Sequence, residues 1–159
     1  MKKGNYSAIL LEKSATLAGR GQREAAQSLL DDILVSDPDN TVAMHRLAMI
    51  HAETGNHEQA LELYQRIVGI MPENLDAVLL LGVEYAELGK YQEAIDCFKR
   101  CIAGSPSKGG LYQMLGVALA EIGKHDEAME QFRLACNINP DDDVSLAHLA
   151  IEQIHFLKM

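Results

Sequence analysis

The stretch LLLGVEYAELGKYQEAIDCFKRCIAGSP, residues 79–106, carries the reading of the whole chain. Gly89 lies between two helix-length segments. A helix C-terminus needs a left-handed residue there, and glycine adopts that conformation at little cost. Ala94 stands five residues on, and its small side chain lets two helices approach closely. Phe98, one turn later, fills the space beside it. Pro106 follows the second segment and stops it, because proline cannot continue a helix.

Working outward, the same marks recur at one interval. The four prolines are Pro38, Pro72, Pro106 and Pro140, each 34 residues from the next. Gly21, Gly55, Gly89 and Gly123 keep that interval, and so do Ala26, Ala60, Ala94 and Ala128. A large apolar residue follows each alanine by four: Leu30, Tyr64, Phe98 and Phe132. Three independent marks on one period establish an internal repeat.

These marks resemble the tetratricopeptide repeat, a 34-residue helix–turn–helix with small residues at positions eight and twenty and proline near its end. The resemblance implies an all-α fold, a right-handed α-solenoid of four repeats at 7–40, 41–74, 75–108 and 109–142. Residues 1–6 are expected to be a frayed N-terminal tail. Residues 143–159 are expected to form a C-terminal capping helix or the first helix of a truncated fifth repeat. Repeat 1 departs most from the pattern: Lys13 and Ser14 replace the usual Leu-Gly, and Arg23 replaces the usual tyrosine.

Composition narrows the function. The chain has 159 residues, 48% of them apolar, and a formal charge of −9. In a repeat array each unit buries its apolar face against its neighbours, so this content suffices for a core. Non-specific nucleic-acid binding rests on Lys and Arg neutralising phosphates, and the acidic balance opposes it. It opposes a polybasic membrane anchor as well. Lys2 and Lys3 are followed only by AILL before Glu12, too short for a signal-peptide core. No stretch approaches a transmembrane span. Cys97, Cys101 and Cys136 are odd in number and lack framework spacing, which suits a reducing compartment. A soluble, cytoplasmic chain is expected.

Local signals agree with the repeat. Asn40, Asn74 and Asp142 precede first helices, as N-caps should. Glu24, Glu58, Glu93 and Glu127 open second helices, where they complement the helix dipole. The junction AGSPSKGG, residues 103–110, is glycine-rich where the others are not, and this predicts a hinge between repeats 3 and 4. The last helix is apolar through Val144, Leu146, Leu149, Ala150, Ile151, Ile154, Phe156 and Leu157, with one polar arc at Ser145, His148, Glu152 and His155.

Candidate chemistry is sparse. His148, Glu152 and His155 share one helical face, but a metal site needs three or four converging ligands with supporting partners. The stripe reads as a solvated polar face, with no metal. His51, His57 and His125 occupy packing positions of the repeat. Cys97 and Cys101 are one turn apart, and Cys101 falls in the core row with Ile33, Ile67 and Ala135, as a buried structural thiol would. No nucleophile elbow, phosphate loop or catalytic acid pair is present, so neither catalysis nor a cofactor is expected.

The resemblance places the functional surface on the inner face, lined by the first helix of each repeat. Carried over residue by residue, the deep positions are Leu11 and Ala15, then His45, Arg46 and Met49. Leu79, Leu80 and Val83 follow, then Gln113, Met114 and Val117. Position twelve is alanine throughout (Ala18, Ala52, Ala86, Ala120), and position thirteen is glutamate at Glu53, Glu87 and Glu121. The expected surface is an apolar trough with an acidic margin, and Arg46 is its basic residue. Its expected partner is an apolar or amphipathic segment of another protein, held by a non-catalytic adaptor or chaperone-like module. The alternatives are self-association through the C-terminal helix, or the repeat region of a larger enzyme.

One branch of the resembled family clamps C-terminal peptide carboxylates with Lys at position five and Asn at position nine. Here position five holds Leu11, His45, Leu79 and Gln113, and position nine holds Ala15, Met49, Val83 and Val117. Titration calorimetry with acidic C-terminal peptides of the heat-shock type should therefore give no micromolar binding.

Overall fold

The structure is a computed structural model describing the backbone of residues 3–156 and the side chains of residues 6–151. The described residues are helical throughout: α1 (Lys3–Gly19), α2 (Arg23–Ser36), α3 (Thr41–Glu53), α4 (His57–Ile70), α5 (Leu75–Glu87), α6 (Tyr91–Gly104), α7 (Gly109–Glu121), α8 (His125–Ile138) and α9 (Asp143–Phe156). From α3 onward each odd helix starts 34 residues after the last, and the even helices keep the same interval from α2. The fold is all-α, of the solenoid class. Part of the tail expected at 1–6 is helical, because α1 already begins at Lys3. No proline interrupts these residues, and a formed helix gains one hydrogen bond for each residue added.

The turn inside each helix pair follows from its glycine. Gly21, Gly55, Gly89 and Gly123 have φ of 76°, 78°, 70° and 78°. The left-handed residue turns two N–H groups back onto the helix end. In the third pair Gly89 N–H donates to Ala86 at 2.9 Å and Lys90 N–H to Tyr85 at 2.8 Å. The other three turns repeat this pattern, with Ala18, Ala52 and Ala120 as the matching acceptors. Orphan carbonyls at the helix end are thereby satisfied.

The other helix ends are closed by side chains. Asn40 Oδ1 accepts from Ala43 N–H at 3.0 Å, Asn74 Oδ1 from Ala77 at 3.1 Å, and Asp142 Oδ1 from Ser145 at 3.3 Å. Lys108 stands at the equivalent place before α7 and provides no side-chain cap.

Contacts divide the chain into two compact units, residues 1–77 and 78–159. In the first, α1 packs on α2, α2 on α3 and α3 on α4. Ala26, Ala48 and Ala60 are fully buried there beside Leu30, Ile33, Tyr64 and Ile67. The departure at Ser14 is absorbed: its hydroxyl donates to the Leu11 carbonyl at 2.8 Å, and the small side chain is buried. In the second unit Ala94, Ile95, Phe98, Leu115, Ala118, Leu119, Ala128 and Phe132 form one core. Gly82 and Gly116 make the closest approaches. A Cβ added to Gly82 would lie 2.8 Å from Cys97 Cβ, and one added to Gly116 would lie 2.6 Å from Cε1 of Phe132. Large rings of the second helices thus lie on the bare backbone of the first.

The structure bears on two expectations. The hinge predicted at Gly104–Gly110 is not where the chain divides; α6 and α7 pack together within the second unit. The Tyr112 hydroxyl ties this junction by donating to the Pro106 carbonyl at 3.0 Å. Within the polar arc of α9, the described residues Ser145 and His148 are turned away from solvent. Ser145 is fully buried, with its hydroxyl 2.5 Å from Asp142 Oδ2. His148 is half-buried and stacks on Phe132 at 5.1 Å between ring centroids. Val144, Leu146 and Ile151 are about half exposed instead. The repeat register explains the reversal: Ser145 occupies the position of Ala43 and Ala77, both buried, and its hydroxyl is consumed by the cap. Glu152, Ile154, His155 and Phe156, whose side chains the readings of this helix included, lie outside the described side chains, and Leu157 lies outside the described residues altogether.

Two stability tests follow. Gly116→Ala should lower the urea midpoint by an amount worth about 1–3 kcal/mol, since the added carbon meets a packed ring. Gly110→Ala, with no heavy atom within 4 Å of the new carbon, should raise stability by about 0.4–1 kcal/mol. Equal shifts would contradict the packing described. The Asp142 carboxyl is held below its ordinary value, first by the Ser145 hydroxyl and also by backbone N–H groups. A depressed folded value stabilises above the unfolded value of 3.8 and ceases to do so as pH falls through the folded one. Acidification below about pH 4 should therefore loosen α9, read as faster amide exchange at 145–149, and Asp142→Asn should flatten that pH dependence.

Candidate functional site

The candidate residues lie on α1, α3, α5 and α7. None of the fourteen candidate residues is buried. Met49 and Met114 are 44% and 39% exposed, far more than core methionine Met44 at 0%. Leu11, His45, Arg46, Leu79, Leu80, Val83, Gln113 and Val117 are half-buried, while Ala15, Glu53, Glu87 and Glu121 are exposed.

Within the first unit, Ala15, Arg46, Met49 and Glu53 meet in a depression of about 390 Å3, together with Ser14, Ala18, Gly19, Leu30 and Ile50. Its charges are spoken for by the chain itself. Arg46 Nη1 donates to the Leu11 carbonyl, joining α3 to α1. Glu53 accepts from Arg23 Nε at 3.2 Å. Arg46, the basic residue of the expected trough, thus meets a carbonyl of its own chain. His45 turns its ring edge to Tyr64, 6.0 Å between centroids, so this candidate packs against α4.

Within the second unit, Val83, Glu87, Gln113, Met114 and Val117 meet in a depression of about 290 Å3. Ala86, Tyr91, Phe98 and Ala118 complete its lining. Leu79 and Leu80 line neither depression. Tyr91 hydrogen-bonds to Glu121, and its phenol is raised above the ordinary value of 10, first by the Glu121 charge, then by burial, this hydrogen bond and the Glu87 charge. The sequence pattern does not place Tyr91 and Phe98 at the site, because both belong to α6 and the carried-over positions lie on first helices. The signal was present: Tyr91 and Arg23 hold the same repeat position, and each reaches a glutamate at position thirteen of the following repeat.

Other polar groups give no competing site. Burial, with Cys101 and Asp96 adding, pushes the Cys97 thiol up to about 11, opposite to the shift a reactive thiolate requires. Cys101 is buried in the core, as its row predicted. Among the described residues no cluster of three or more His, Cys, Asp or Glu could hold a metal ion. No described helix is long and apolar enough to cross a membrane.

Among the described residues the two depressions offer apolar contact, flexible thioethers and carboxylates. Solved structures similar to this chain share its fold. One, described as the crystal structure of MamA protein, is 22% identical with a TM-score of 0.88, over 94% of this chain and 81% of that one. Another, MamA from residue 41 to its end from Desulfovibrio magneticus RS-1, is 17% identical with a TM-score of 0.90, over 98% and 86%. Curated proteins give no match by sequence. One tetratricopeptide-repeat family model matches residues 39–107 and a second matches 79–143. Those matches fall on the helix pairs whose glycine turns and ring-on-backbone packing are described above, and the chain belongs to the tetratricopeptide-repeat family.

Proposed function

We propose that this chain is a non-catalytic adaptor or chaperone-like module that binds an apolar or amphipathic segment of a partner protein on its inner helix row. Tetratricopeptide repeats form protein-interaction and scaffold modules, which is the broad class of this chain. The observation that carries the finer reading is the depression of the second unit. Its floor is apolar, and Met114 stands 39% exposed over it. A methionine held at a surface offers polarizable contact that adapts to the partner's shape. Burial of apolar area contributes about 25 cal/mol per Å2, so two or three ligand side chains could supply several kcal/mol before the costs of association. Nucleic acid and inserted membrane are not the partners proposed. The odd cysteine count suits a reducing cytoplasm, which is the location proposed.

A second reading is favoured by α9. Its outward Val144, Leu146 and Ile151 support association of two copies through this helix. Light scattering over a range of concentrations separates the readings: a mass that stays monomeric removes this second one.

The test of the main reading is a pull-down with mass spectrometry, comparing the wild type with Met114→Glu. A charge at this position cannot be desolvated cheaply on binding. The partner should be recovered by the wild type and lost by the variant, with helicity unchanged. Equal recovery by both would move the binding face elsewhere.

A further inference from the structure

The two depressions differ in one respect that bears on the ligand. In the first unit the position-thirteen glutamate, Glu53, is met by the guanidinium of Arg23 at 3.2 Å. In the second unit the equivalent donor is Tyr91, a neutral phenol that hydrogen-bonds to Glu121 and leaves its charge in place. Glu87 lines the depression itself, and the charges of both Glu87 and Glu121 act on Tyr91 in its lining. No lysine or arginine lines this depression. Lys124, in the turn after α7, is paired instead with Glu127 at 2.9 Å. Lys90 stands exposed at the turn beside Tyr91 and is not part of the lining. The upward displacement of the Tyr91 phenol records the same negative field.

The geometry of the two walls is matched. On α5 the apolar Val83 and the acidic Glu87 are one helical turn apart, and on α7 Val117 and Glu121 repeat that spacing. On α5 both residues line the depression; on α7 Val117 lines it and Glu121 reaches it through Tyr91. A helical ligand carries neighbouring side chains at the same separation, about 5–6 Å for residues three or four apart. A volume of about 290 Å3 lies at the lower edge of the about 300–1,000 Å3 typical of small-molecule pockets, and it has room for one or two side chains.

Resting on the adaptor reading above, we propose that the second unit's depression takes a basic amphipathic peptide segment. One large apolar side chain enters between Val83, Met114 and Val117. A lysine or arginine one turn away from it meets Glu87 and Glu121. The cation that the first unit draws from its own Arg23 is, in the second unit, supplied by the partner. Charge complementarity selects the partner, and the apolar floor holds it.

The test uses the full chain and three labelled amphipathic peptides of about four helical turns. They share leucine anchors and carry Lys, Gln or Glu one turn from each anchor. Fluorescence anisotropy should rank affinity Lys above Gln above Glu, with Lys and Glu separated by about tenfold or more at low salt. That separation should narrow as salt rises from about 20 to about 500 mM. In Glu87→Gln/Glu121→Gln, which keeps an acceptor for Tyr91, the Lys peptide should fall to the affinity of the Gln peptide. Equal binding of all three peptides overturns this inference and leaves the adaptor reading standing. A Lys preference that survives the double substitution also overturns it, since general attraction to an acidic protein then explains the preference. Failure of all three peptides to bind overturns the adaptor reading itself, and the inference with it.

Discussion

A ring lying on a glycine is the contact on which the second unit depends. Phe132 occupies the space that a Cβ on Gly116 would take, so α7 and α8 approach until ring and backbone touch. Phe98 and Gly82 make the same contact between α5 and α6. Burying a phenylalanine is worth about 1.5–3 kcal/mol, and glycine in a helix costs about 1 kcal/mol relative to alanine. The exchange favours the close pair. Phe132 also stacks with His148, which seats α9. One side chain therefore organises three helices.

That closeness decides what the first helices can present. With position eight given over to packing, residues one position and four positions onward, such as Val83 and Ala86, are left to line the depression. The alanine at position twelve serves twice. Its carbonyl receives the glycine N–H of the turn, and its small side chain leaves room beside it. Ala86 does both at the second unit's depression.

Electrostatics then separates units built on one pattern. The Arg23–Glu53 pair has side chains about half exposed, and such a pair contributes about 0–1 kcal/mol. Its consequence is less for stability than for the charge that remains. A guanidinium cancels its glutamate, whereas a phenol only hydrogen-bonds to one. A substitution that looks like a blemish in the repeat, arginine where tyrosine is usual, thus changes the character of the surface beside it.

The residues that recur every 34 positions were legible without coordinates, because their constraints are local or lie within one helix pair. A left-handed turn needs glycine, and a close pair needs a small residue facing a large one. The caps at Asn40, Asn74 and Asp142 were legible for the same reason. Accessibility of the inner row followed from register. Partners could not be read in this way. That Arg46 reaches the Leu11 carbonyl, that Tyr91 joins Glu121, and that His148 lies on Phe132 each depends on where a neighbouring helix sits. Only tertiary structure decides those distances. A helical wheel placed Ser145 and His148 on a polar outer face, but it cannot tell which side of α9 meets α8. Packing turned that side inward, because a serine with its hydroxyl already bonded is small enough to bury, and an imidazole can stack on a ring.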